Sequence, residues 1–183
     1  MKKNKTRKFQ KLRTGFIFLL LFFIFFIFIY VLSGYSFLYN YINYFFGITS
    51  NFILNHLFGV VTTFSYDMIN NSVITISSID YPIYIGFLCT GILEFALLAS
   101  AILASSNVSW KKRGIGTALA VLVVIIFNLI RISFTIYLIT ILNLSWATFF
   151  HSFLFRLFLV IIVLGFYWLW LRRSTGHPRI KKK

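Results

Sequence analysis

The sequence predicts an all-α integral membrane bundle: four transmembrane helices, a helix lying on the outer membrane surface, and a short β-hairpin beside it. Three observations predict this class. Of 183 residues, 60% are hydrophobic and only 11% charged, with a mean hydropathy of +0.89; soluble domains run at about 45–50% apolar and about 25% charged. Four apolar runs reach the roughly 20 residues that a helix needs to cross a bilayer. Finally, 16 of the 18 Lys and Arg residues flank those runs, against 3 Asp and Glu in the whole chain. Such a composition excludes an ordinary soluble enzyme and a disordered chain. It also excludes a disulfide-stapled secreted domain, because Cys89 is the single cysteine.

The elements follow in chain order. Residues 1–14 form a basic tail, with Lys2, Lys3, Lys5, Arg7, Lys8, Lys11 and Arg13. The first span covers 15–33; with no small-residue cleavage site after it, it reads as an uncleaved anchor. Spans over about 85–105, 114–141 and 146–171 complete the membrane domain, with Asn143 to Ser145 turning between the last two. The tail 172–183 is again basic, and Lys111, Lys112 and Arg113 form a third basic group. By the positive-inside rule all three groups are cytoplasmic, with contact to anionic headgroups, so even numbers of crossings separate them. That parity leaves no room for 41–59 as a full crossing. Its apolar residues are interrupted by Asn43, Thr49, Ser50, Asn51, Asn55 and His56, which predicts a surface helix with its apolar face down, a shallow re-entrant segment being the second reading. The β-branched stretches 60–66 and 72–77, separated by the turn-rich Asp67–Asn71, predict the hairpin on the same outer face. Placing the excess cations at membrane edges also argues against a nucleic-acid partner.

A charge at the bilayer centre costs about 2.5–3.5 kcal/mol on insertion scales, so each one there needs a partner or a task. With this topology Cys89, Arg131 and His151, on three different spans, all fall within roughly 10–15 Å of the outer surface. Asn128 precedes Arg131 by three residues on the same helix face, placed to orient it. Glu94 and Arg156 are equally deep in their spans and read as a buried ion pair with a structural rather than catalytic role. Taken singly, each residue has a plainer reading: a lone membrane cysteine is commonly a small hydrophobe, and a histidine near a helix end an interfacial hydrogen-bonder.

Several of these residues occur in an order that resembles the exosortase/archaeosortase family, in particular its short archaeosortase-like members. The resemblance covers about residues 72–171. It rests on Cys-Thr-Gly at 89–91, Ser-Trp-Lys-Lys-Arg at 109–113, Asn-Leu-Ile-Arg-Ile at 128–132, and His151 opening an aromatic last span that ends Tyr-Trp-Leu-Trp at 167–170. It implies a multi-pass membrane cysteine transpeptidase or protease. Such an enzyme cleaves the C-terminal sorting signal of exported surface proteins and passes them to an acceptor, a lipid foremost. By position the resemblance places the nucleophile on Cys89, the family's arginine on Arg131 and the third catalytic position on His151. Some members carry arginine in the third position, which makes Arg156 the weaker candidate for it.

The implied chemistry is acyl transfer. Cys89 attacks as thiolate, His151 protonates the leaving amine, and Arg131 holds the oxyanion, since a guanidinium stays charged and cannot act as a base. The implied partners are the sorting-signal helix of an exported protein, the bilayer and a lipid acceptor, with both termini cytoplasmic and the site facing outward. No cofactor and no metal are predicted, because His56, His151 and His177 are scattered and no H-E-x-x-H pair occurs. The competing reading is a non-catalytic membrane assembly or scaffold protein, or a degenerate family member, in which Cys89 is dispensable.

Overall fold

The computed structural model describes residues 2–67, 71–79, 81–86, 89–106, 108–142 and 144–175. The expected turn at Asn143, the middle of the 67–71 turn, Asp80, and the tail from residue 176 with His177 lie outside them. Helix α1 spans Lys2–Ser33 and α2 Ser36–His56. Strands β1 (Thr62–Asp67), β2 (Asn71–Ile76) and β3 (Tyr81–Ile85) follow. Then come α3 (Ile92–Ala104), α4 (Trp110–Ile141), the one-turn α5 (Leu144–Phe149), a π-helical turn at Phe150–Leu154, and α6 (Phe155–Thr175).

Three helical stretches among the described residues are long and apolar enough to cross a membrane: Arg13–Ser33, Trp110–Ile141 and Ser145–Thr175. The chain is therefore membrane-associated, but the fourth expected span is not a full-length helix. Among the described residues of the run 85–105 the α-helix is the 13-residue α3, about 20 Å at 1.5 Å per residue against a hydrocarbon core of about 30 Å. The start of that run belongs to β3 and to the connection bearing Cys89. A short apolar, β-branched run suits a strand as well as a buried helix, and periodicity cannot separate them. The expected hairpin is accordingly a three-stranded antiparallel sheet in the order β1-β2-β3. Thr62 pairs with Ile76, and Thr75 pairs with Pro82 on the edge strand, where a missing N–H is tolerated.

The 41–59 segment is helical as expected, starting five residues earlier, and α2 packs on the sheet and on α4. In β2 the buried side chains alternate, Ser72, Ile74 and Ile76, as a pleated strand on a packed face requires. Ile74 and Ile76 join Phe46 and Leu54 of α2, Ile85 of β3, and Ile132 and Ile136 of α4 in one core. Polar bonds pin the layers together. Ser72 Oγ donates to the Asn43 carbonyl (2.9 Å), and Asn55 Nδ2 donates to both the carbonyl (3.1 Å) and the Oγ1 (3.0 Å) of Thr62. Gly47 is the point of closest approach, since a Cβ there would stand 2.5 Å from the Phe64 ring and 2.7 Å from Ser72 Cβ. Gly47→Val should therefore lift the sheet off α2 at a cost of about 1–3 kcal/mol, as overpacking does. Thermal unfolding of the purified protein checks this, and an unchanged midpoint would contradict the packing described.

A second core lies nearer the other end of α4, where Leu98 and Ile102 of α3 meet Ala120 and Val124 of α4 and Trp170 of α6. Between helices in lipid the hydrophobic effect gives no drive, so close van der Waals packing of small residues must supply it. The buried stripe Ala96, Ser100 and Ala104 on α3 has that spacing, as do Gly116 and Ala120 on α4. A Cβ on Gly116 would fall 2.1 Å from the Trp170 indole nitrogen, so glycine is what lets α4 and α6 touch. Arg113, read from sequence as one of three edge cations, is instead buried. Its Nε donates to the Val108 carbonyl (2.9 Å) and a terminal nitrogen to the Leu103 carbonyl (2.8 Å), and its guanidinium lies 4.4 Å from the Trp110 ring centre. It thus satisfies the Leu103 carbonyl that the last turn of α3 leaves without a helical partner, and the Val108 carbonyl of the connection to α4.

The expected Glu94–Arg156 ion pair is absent among the described residues. Arg156 is exposed, and Glu94 Oε2 is buried without a hydrogen-bond partner. Equal depth was counted along a 21-residue span that the chain does not form as one helix. Because α3 begins at Ile92, Glu94 occupies its first turn, where the helix dipole favours a negative charge.

Candidate active site

Cys89 follows β3 on a tight turn in which its N–H donates to the Gly86 carbonyl (2.9 Å). Thr90 is buried, and Gly91 caps α3 with φ +76°. That left-handed conformation disfavours any residue with a Cβ. Space excludes one as well: a Cβ on Gly91 would lie 2.1 Å from Asn128 Nδ2 and 2.6 Å from its Cγ. The Cys-Thr-Gly and Asn-Leu-Ile-Arg segments are therefore packed directly against each other. Asn128 is fully buried, and its Nδ2 donates to the Val124 carbonyl of its own helix (2.9 Å). The expectation that it orients Arg131 is replaced by this contact: the Asn128 side chain braces the turn that carries Cys89.

Cys89 and His151 line one cavity of about 360 Å³. Strand β3, with Pro82 and Ile85, forms one wall. Ile132, Thr135 and Ile136 of α4 form another, and Ala147, Thr148 and His151 the third. The cysteine is half-buried, on a single turn of 3₁₀ geometry closed by its N–H bond to the Gly86 carbonyl. His151 lies on the π-helical turn, where the N–H of Phe155 bonds the Phe150 carbonyl across five residues. Wide turns of this kind interrupt α-helices frequently at functional sites.

Thr135 links His151 to α4. Its hydroxyl donates to the Arg131 carbonyl (2.7 Å) and stands 3.4 Å from His151 Nδ1. With its one proton committed to the carbonyl, the Thr135 oxygen can only accept from Nδ1–H. This arrangement leaves Nε2 as the working nitrogen of the ring. Sequence reasoning missed Thr135, although its position four residues after Arg131 on one helix face was the available signal.

Arg131 is buried in α4, one turn from Thr135, and does not line the cavity. Arg131 and Arg156 are the two cations within electrostatic range of the His151 ring. Among the described residues no hydrogen bond joins Cys89 Sγ to His151; what they share is the lining of the same cavity. From α2, Tyr39 comes within electrostatic range of Cys89. Burial raises its phenol above the ordinary value, against the opposing bond from Asn43, so it stays protonated at neutral pH. No protein-family model, curated protein or solved structure matches the chain.

Proposed function

We propose that the chain is a membrane cysteine transpeptidase that cleaves the C-terminal sorting signal of exported surface proteins and transfers them to an acceptor, a lipid foremost. The observation that carries this reading is the single cavity lined by both the Cys89 thiol and the His151 imidazole. The motif order shared with exosortases and archaeosortases supports it. In the proposed reaction the Cys89 thiolate attacks the substrate carbonyl, and the tetrahedral intermediate collapses with loss of the amine. His151 Nε2 gives that amine its proton. A thioester to Cys89 remains until an acceptor amine or hydroxyl attacks the same carbon, gives its proton to His151 Nε2 and expels the thiolate, which restores the starting protonation of both residues. Arg131 supplies positive charge behind the Ile132–Thr135 wall, opposing the charge that develops on thiolate and oxyanion.

The substrate helix would lie in the bilayer against α4 and α6, with its cleavage site entering between β3 and His151. The sheet and α2 would limit water there and so favour transfer over hydrolysis. Both termini would be cytoplasmic and the cavity would face outward. Co-expression of a tagged protein bearing a C-terminal sorting signal with wild type and Cys89→Ala tests this. The expected result is processing by wild type alone, with a thiol-sensitive adduct that maps to Cys89. A non-catalytic assembly role is favoured by the lack of a direct Cys89–His151 bond, and it requires the Cys89→Ala protein to work normally.

A further inference from the structure

The ends of α4 and α6 farthest from His151 enclose a second concavity. Ile115 and Leu119 of α4 and Leu169 of α6 line a groove of about 360 Å³ with Trp170 among its lining residues, and Lys112 and Arg173 stand in the same lining. The three aliphatic side chains are about half exposed (54%, 46% and 49%), so the groove is open along the length of the helices. Among the described residues no acid stands in the lining of the groove, whose charged members are Lys112 and Arg173. Lys112 spends one of its three donors on the Ser174 carbonyl (2.8 Å). Arg173 makes no hydrogen bond to another described residue, while its neighbour Arg172 is held over the Trp168 ring at 5.5 Å.

We propose that this groove binds an anionic phospholipid, its phosphate between Lys112 and Arg173 and an acyl chain along Ile115, Leu119 and Leu169. The order of the lining decides the class of ligand. An apolar channel parallel to membrane-crossing helices takes hydrocarbon, and a pair of unneutralised cations at its end takes a negative headgroup. A soluble anion would have no use for the channel, and a neutral lipid none for the cations. Along α4 the site is about 28 Å from Arg131 at 1.5 Å per residue, so it stands apart from the chemistry proposed at Cys89.

The test is native mass spectrometry of the purified full-length chain after incubation with dioleoylphosphatidylglycerol or dioleoylphosphatidylcholine. The expected result is preferential retention of the anionic lipid. Lys112→Gln with Arg173→Gln should lower that retention about thirtyfold, each basic side chain at such a surface contributing about 1 kcal/mol. Leu119→Trp, which fills the channel and keeps both charges, should lower retention of both lipids. The control Lys182→Gln with Lys183→Gln removes equal charge from the tail and should change nothing. Equal retention of the two lipids, an equal loss with the control, or displacement of the lipid by excess inorganic phosphate would each overturn the proposal. If the double variant does not fold, Arg173→Gln alone and Leu119→Trp decide it.

Discussion

Gly91→Ala should abolish the folded site. The methyl group meets two obstacles: a backbone at φ +76°, and the Asn128 amide 2.1 Å from where the new Cβ would lie. The conformational part costs about 1–2 kcal/mol and the overpacking about 1–3 kcal/mol, so the sum is about 2–5 kcal/mol. That is a large share of the stability of a small domain, commonly about 5–15 kcal/mol. Folded yield and the thermal midpoint of the purified protein measure it. The two contributions can be separated, because Asn128→Ala in the same chain removes the obstructing amide and leaves the φ cost. A double variant that regains about half of the lost stability would match this geometry. No recovery at all would mean that Asn128 does not brace the Cys89 turn.

His151→Ala should lower processing of a sorting-signal substrate by about 10²- to 10⁴-fold, the usual contribution of a positioned proton donor. The fold should survive, because His151 is only half-buried and its one hydrogen-bond neighbour is Thr135 at 3.4 Å. The more discriminating variant is Thr135→Val. It keeps the shape of the side chain and removes the oxygen that fixes the ring, for a loss of about tenfold. Thr135→Ser keeps the oxygen and should recover most of the activity. Equal activity of the valine and serine variants would remove Thr135 from any role in orienting His151. Arg131→Lys should fail as well, since a compact ammonium does not reproduce the planar, diffuse charge of a guanidinium.

Legibility from the sequence differed from element to element. The runs at 15–33, 114–141 and 146–171 were readable because a long apolar stretch with at most one charge has few other uses than a membrane helix. The run at 85–105 misled for the same reason: its hydrophobicity was real, but Pro82, Gly86 and Gly91 punctuate it, and β3 with the Cys89 turn consume its first third. Arg113 looked like its neighbours Lys111 and Lys112, and only the carbonyls of Leu103 and Val108, brought close by the α3–α4 turn, distinguish it. Glu94 and Arg156 matched in depth only on a count along a continuous 85–105 helix, whereas α3 starts at Ile92 and puts Glu94 in its first turn.

Composition, the edges of the apolar runs and the order of Cys89, Asn128, Arg131 and His151 were settled by the chain before any folding, since each depends on residue type and spacing alone. Which of those side chains share a cavity depended on contacts between residues far apart in sequence. Gly91 had to admit Asn128, the wide turn at Phe150–Leu154 carries His151 into a cavity lining shared with β3, and Arg131 is buried in α4 outside that lining. Direction around a helix axis and the closeness of two backbones are properties of packing, and packing exists only once the chain has folded on itself.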